Sequence, residues 1–106
     1  MFWVSIVLAS TLTGLATAQS SSWTVNFYSS PDCSAESLTS TYTGTDFYTE
    51  YKVSPPGQYL TVTKTGDASY QGALVSSDPG ATFVTALVGQ GCVKGPVGGA
   101  TLFQIV

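Results

Sequence analysis

The chain has 106 residues, three Lys or Arg against six Asp or Glu, no His, and a formal net charge of −3. Lacking histidine, it cannot build a histidine-based catalytic triad. Its cations are Lys52, Lys64 and Lys94 alone, so it has no arginine-bearing basic patch and nucleic acid is excluded as a partner.

The first 18 residues, MFWVSIVLASTLTGLATA, carry no charged side chain and end in Ala16-Thr17-Ala18, a small-x-small cleavage pattern. A bilayer span needs about 20 apolar residues. This run is shorter and is interrupted by Ser5, Ser10, Thr11, Thr13 and Gly14. Residues 1–18 therefore read as a secretory signal peptide, although its start has no Lys or Arg; the alternative is an uncleaved anchor. Cleavage would leave residues 19–106 as a single secreted β domain, extracellular and free of the membrane.

Short strands separated by turns follow. Trp23, Val25 and Phe27 alternate with Thr24, Asn26 and Tyr28. Period two is what a half-buried strand requires, so the first three are assigned to the core and Tyr28 to the outer face. Ser30-Pro31-Asp32-Cys33 suits a type I turn. A strand is expected over Leu38–Tyr42, then a turn at residues 43–46. In the next candidate, Phe47–Val53, the set Phe47, Thr49, Tyr51 and Val53 is expected to be buried. Pro55-Pro56-Gly57 reads as a type II turn. QYLTVTKT, residues 58–65, points Leu60 and Val62 inward and Thr61 and Thr63 outward. The strand Tyr70–Val75 contains Gly72, a candidate bulge. After an Asp78-Pro79-Gly80 turn, Thr82–Val88 is the most apolar segment; with Phe83 and Val84 both buried it would lie centrally. Residues 89–99 read as loop, and Ala100–Val106 as the last strand. The sum is an all-β fold, a small antiparallel β-sandwich or Greek-key barrel of six or seven strands with one disulfide.

That disulfide follows from the cysteine count. Cys33 and Cys92 are the only pair, and a secreted chain with an even count favours a bridge. Closing a loop of about 60 residues is worth roughly 4 kcal/mol on a chain-entropy estimate. Neither cysteine has a second cysteine or a histidine nearby, so no metal is expected. The bridge would tie the end of the first strand to the loop before the last, which predicts that the two terminal strands pair or lie close.

Catalytic chemistry finds little footing. Bridged cysteines cannot act as nucleophiles. The lysines stand among polar or glycine neighbours, so none has the apolar setting that would make it a base. Asp46 with Glu50, or Asp32 with Glu36, could form a carboxylate pair of the glycosidase kind, but so short a chain leaves little room for a cleft. GQGCVKGPVGG, residues 89–99, is no phosphate loop, because no Ser or Thr follows the lysine. The chain is read as non-enzymatic and without a cofactor. Tyrosines carry the binding hypothesis, since each offers flat apolar area with a hydroxyl. Tyr28, Tyr48, Tyr59 and Tyr70 are the candidate binding residues, with Tyr42 also considered for the outer face.

A signal peptide, then Trp23, Val25, Phe27, Tyr28, Ser29 and Cys33 as W-x-V-x-F-Y-S-x-x-x-C, then Cys92 before a short apolar end, resembles small secreted proteins of filamentous fungi. Some of these act as effectors toward a host. The resemblance implies secretion and a β fold, and supplies no catalytic residue. Residues 26–34, NFYSSPDCS, also resemble the opening strand of βγ-crystallin Greek keys. That pattern expects a glycine after the turn, where Ser34 and Ala35 stand, and its calcium signature is not matched, so calcium is not expected. The function expected is effector-like action through an extracellular or host protein partner; the alternative is a cell-wall or carbohydrate-binding module.

Overall fold

The structure, a computed structural model, describes residues 20–77 and 83–106. The signal-peptide segment and the Asp78-Pro79-Gly80 turn lie outside the described residues. Among the described residues eight strands run in chain order: β1 (Ser22–Tyr28), β2 (Leu38–Gly44), β3 (Tyr51–Gly57), β4 (Tyr59–Thr65), β5 (Gly72–Ser76), β6 (Phe83–Leu87), β7 (Val93–Lys94) and β8 (Ala100–Ile105). A 3-10 turn, Ala35–Ser37, precedes β2. The fold is an all-β sandwich of two four-stranded antiparallel sheets: sheet I, in the order β2-β1-β4-β7, and sheet II, in the order β6-β5-β8-β3.

Advancing every strand by four places turns one order into the other. Each half of the chain thus forms a Greek key, and each gives its third strand to the opposite sheet. The exchange places β7 on the edge of sheet I and β3 on the edge of sheet II. Neither half can close its sheet without the other.

The alternation of β1 works as the sequence predicts: Trp23, Val25 and Phe27 have no exposed surface. They meet Phe103 of sheet II, whose ring lies 5.7 Å from that of Trp23, 5.9 Å from Phe27, 5.4 Å from Tyr42 and 5.1 Å from Tyr51. Full burial of a phenylalanine is worth roughly 1.5–3 kcal/mol, so this cluster is the main tie between the sheets. The indole N–H of Trp23 donates to the Asp46 carbonyl at 2.8 Å, which satisfies the one polar atom of that buried ring. Gly57 is buried because a Cβ there would fall on the Phe27 ring.

Several expectations are corrected. The third strand begins at Tyr51, not Phe47. Phe47 and Thr49 are exposed, and of the set expected inside only Val53 is fully buried. Pro55-Pro56-Gly57 is the end of β3 and not a type II turn. A prolyl residue cannot donate to a ladder, but β3 is an edge strand and its register with β8 shifts between Lys52 and Gly57. Gly72 is not a bulge: it pairs regularly with Leu87, and a Cβ there would strike the β6 backbone at Ala86. The apolar segment Phe83–Leu87 is an edge strand, and Phe83 is 58% exposed. Six or seven strands were expected; β7 comes from residues read as loop. The terminal strands β1 and β8 do lie close, the second of the two arrangements expected, but they are not a hydrogen-bonded pair. They face each other across the core from opposite sheets.

Candidate functional site

The outer face of sheet I is built by three long strands, with β1 and β4 in unbroken register and β1 and β2 in register up to a shift between Phe27 and Tyr28. Opposite the buried side chains of β1, Thr24, Asn26 and Tyr28 point outward. Thr24 has Thr43 on one side and Thr63 on the other; Asn26 has Thr41 and Thr61. Ser22 pairs with Thr65 at one end of the face. Because strands are roughly 4.8 Å apart and alternate residues roughly 6.7 Å apart, these side chains form a two-dimensional field of hydroxyl and methyl groups. Threonine is stiff at χ1, so the field is pre-ordered. Thr41 donates to the Asn26 side-chain oxygen at 2.7 Å, and Ser22 and Thr65 share a hydroxyl bond of 2.9 Å. The hydroxyls of Thr24, Thr43, Thr61 and Thr63 make no side-chain hydrogen bond among the described residues.

The other end of this face carries the tyrosines. Tyr28 and Tyr59 are direct cross-strand partners, with Leu38 beyond Tyr28 and Lys94 beyond Tyr59. Both rings are half-buried, leaving apolar area and a phenolic hydroxyl at the surface. Lys94 is the one charged side chain in these rows. Lys64 pairs with buried Trp23 and so belongs to the opposite side of the sheet, its ammonium donating to the Ala68 carbonyl at 2.8 Å.

The remaining sequence candidates do not join this pair. Tyr70 is a correction: it is 5% exposed, its hydroxyl donates to the Thr45 carbonyl at 2.7 Å, and it belongs to the core. Tyr42 is likewise turned inward against Phe27 and Phe103, and its hydroxyl accepts from the Ser54 N–H. Tyr48 is 69% exposed, but it stands at the other end of the sandwich, near the C-terminal end of β8, where its N–H donates to the Ile105 carbonyl. Its backbone sits at φ 62°, in the left-handed region that bulky residues rarely adopt. Cys33 and Cys92 form the expected disulfide, with Cα atoms 5.7 Å apart. The bridge joins the turn after β1 to the start of β7 and so pins the edge of sheet I beside the tyrosine pair.

The carboxylates are engaged in turns. Asp32 accepts from the Ser30 hydroxyl at 2.7 Å and the Ser34 N–H at 3.1 Å, and these bonds hold its pKa below the usual value. Asp46 is held low by the Thr49 hydroxyl first and then by Tyr51, which donates to both carboxylate oxygens at 2.7 and 2.8 Å. Both shifts run opposite to what a general acid needs. Among the described residues no group of three His, Cys, Asp or Glu could hold a metal ion.

The threonine field is the feature that the sequence reading missed. Its signal was present, as T-S-T-Y-T over 39–43 and T-V-T-K-T over 61–65. Only the pairing of β2 and β4 on either side of β1 turns two alternating strings into one surface. Comparison of the chain with protein-family models, with curated proteins and with solved structures gives no match, so the geometry of this face stands as the principal guide to function.

Proposed function

We propose that the chain is a secreted, non-enzymatic binding protein whose sheet I outer face attaches to a neutral, hydroxyl-rich cell-wall polysaccharide. The observation that carries this reading is the Tyr28–Tyr59 cross-strand pair bordering an almost uncharged threonine field. Sugar rings present apolar C–H faces and equatorial hydroxyls. Tyrosine rings match the former, and ordered threonine hydroxyls match the latter. A long-range charge field would be of no use against a neutral polymer, and this face has none. Secretion is supported by the apolar start of the chain and by the Cys33–Cys92 bridge, which is compatible with an extracellular protein.

Effector-like action through an extracellular or host protein is the second reading. It is favoured by one observation, the exposed Phe83 and Leu87 on the opposite sheet, 58% and 49% accessible.

Retention of the oxidised protein on insoluble chitin, β-glucan and cellulose tests the first reading. The wild type and Tyr48→Ala should be retained on at least one polymer, and the double variant Tyr28→Ala/Tyr59→Ala should be released. Equal melting temperatures for the three proteins would show that the loss is not unfolding. Failure of the wild type to bind any of the three polymers would sink the polysaccharide reading.

A further inference from the structure

The outer face of sheet II has a different chemistry. Its central row reads Lys52–Leu102–Ser76–Phe83 across all four strands. The next row holds Gln104, Leu74 and Thr85. Small Ser76 between large Leu102 and Phe83 opens a hollow of about 170 Å³, walled by Leu74, Phe83 and Leu102 and rimmed by Glu50 and Gln104. A drug-sized ligand needs roughly 300–1,000 Å³, so the hollow is sized for a single side chain. Beside it Phe83 projects with 58% of its surface exposed, and Leu87, 49% exposed, extends the apolar area along β6.

We infer that this face is an interface between two copies of the chain, related by a twofold axis, with Phe83 of each seated in the hollow of the other. Three observations converge on a second copy as the occupant. A projection and a hollow that fits it lie side by side on one surface, which an isologous contact demands. Glu50, on the rim of the hollow, and Lys52, in the central row, stand two residues apart, both exposed and neither in an ion pair among the described residues. A twofold axis would bring Glu50 of one copy to Lys52 of the other, twice. The β6 side of this face also carries no charged residue to oppose such a contact: FVTAL, residues 83–87, has none. One four-stranded face is a small interface, so the dimer is weak and concentration-dependent. Pairing through sheet II leaves both sheet I faces outward on opposite sides. On the polysaccharide reading above, which this last consequence rests on, the dimer would be bivalent and would gain avidity on a wall.

Sedimentation equilibrium of the protein expressed as the full chain and purified with its disulfide formed tests the dimer without any polymer. Over roughly 10 µM to 1 mM, the range set by a small interface, the apparent mass should rise from monomer toward dimer. Phe83→Glu should weaken association at least about tenfold without lowering the melting temperature, because that side chain is already exposed. Glu50→Lys should weaken it through like-charge contact, and Glu50→Lys/Lys52→Glu should restore it. A monomer at every concentration would overturn the inference and leave the face to a different protein. So would association that survives Phe83→Glu, or that is lost instead in Thr41→Glu on the opposite sheet. A chain that dimerises but binds no polymer would sink the polysaccharide reading and leave the dimer standing.

Discussion

The two sheets share one strand order and one core yet turn opposite chemistries outward. Sheet I shows threonines, an asparagine and a tyrosine pair; sheet II shows Leu74, Leu102, Phe83 and Leu87. Their inner faces are alike: Trp23, Val25 and Phe27 on β1 are answered by Val75, Phe103 and Ile105 on β5 and β8. The interlocked keys dictate what lies inside, because each half of the chain must complete the other's sheet. They place no such demand on what lies outside. The outer faces are therefore where the two sheets are free to differ in chemistry.

The strongest break in this comparison would come from the residue that the sheets share. Phe103 belongs to sheet II but its ring meets Trp23, Phe27, Tyr42 and Tyr51. Phe103→Ala should cost about 3–5 kcal/mol, measured by denaturant unfolding, and should destabilise both sheets in one transition. Two separate transitions would show that the halves fold independently, contrary to the strand exchange. The disulfide gives a more local contrast, since both of its cysteines flank sheet I strands. Cys33→Ser/Cys92→Ser should cost about 2–4 kcal/mol. Hydrogen exchange should show the added opening concentrated at β7, the short edge strand held by two residue pairs to β4, with β5 and β8 protected almost as before. Uniform loss of protection would mean that the bridge does not act locally.

How far the sequence could be read divides along the same line. Alternation in β1 and β4 is local, and it correctly located Trp23, Val25, Phe27, Leu60 and Val62 in the core. Two cysteines in the chain allowed one intramolecular bridge, and it is formed. What failed depends on neighbours distant in the chain. FVTAL reads as a central strand because it is apolar, but edge position is decided by which strand lies next to it, and among the described residues β6 pairs only with β5. Pro55-Pro56 reads as a turn because prolines break ladders, yet an edge strand with shifted register tolerates them. Val93–Lys94 is too short for any pattern and is a strand only because it meets Tyr59 and Leu60. Of the four candidate tyrosines, Tyr28 and Tyr59 come together because β1 and β4 pair in register. Tyr70 is drawn inside by the Thr45 carbonyl, a bond between residues 25 apart that no local pattern could foretell.

The smallest predicted effects separate the turn that serves sheet I alone from the link that crosses between sheets. Asp32 stabilises the turn after β1. Asp46, just past β2, binds Tyr51 of β3 and so joins sheet I to sheet II. Both carboxylates have folded pKa values lowered from 3.8. Their contribution is present above the unfolded value and is lost as pH falls through the folded one. Tyr51 is shifted the other way, raised from 10.0 chiefly by its hydrogen bond to Asp46. Its contribution is complete below the unfolded value and is lost as pH rises through the folded one. Melting temperature against pH should therefore fall at both ends, below about pH 4 and above about pH 10. Asp32→Asn should flatten the acid limb and leave the alkaline limb unchanged. Tyr51→Phe keeps the ring on Phe103 but removes the donor, so it should abolish the alkaline limb due to this pair and shrink the acid one. An alkaline limb that persists unchanged in Tyr51→Phe would place the link between the sheets elsewhere and reduce the Asp46–Tyr51 contact to a surface bond.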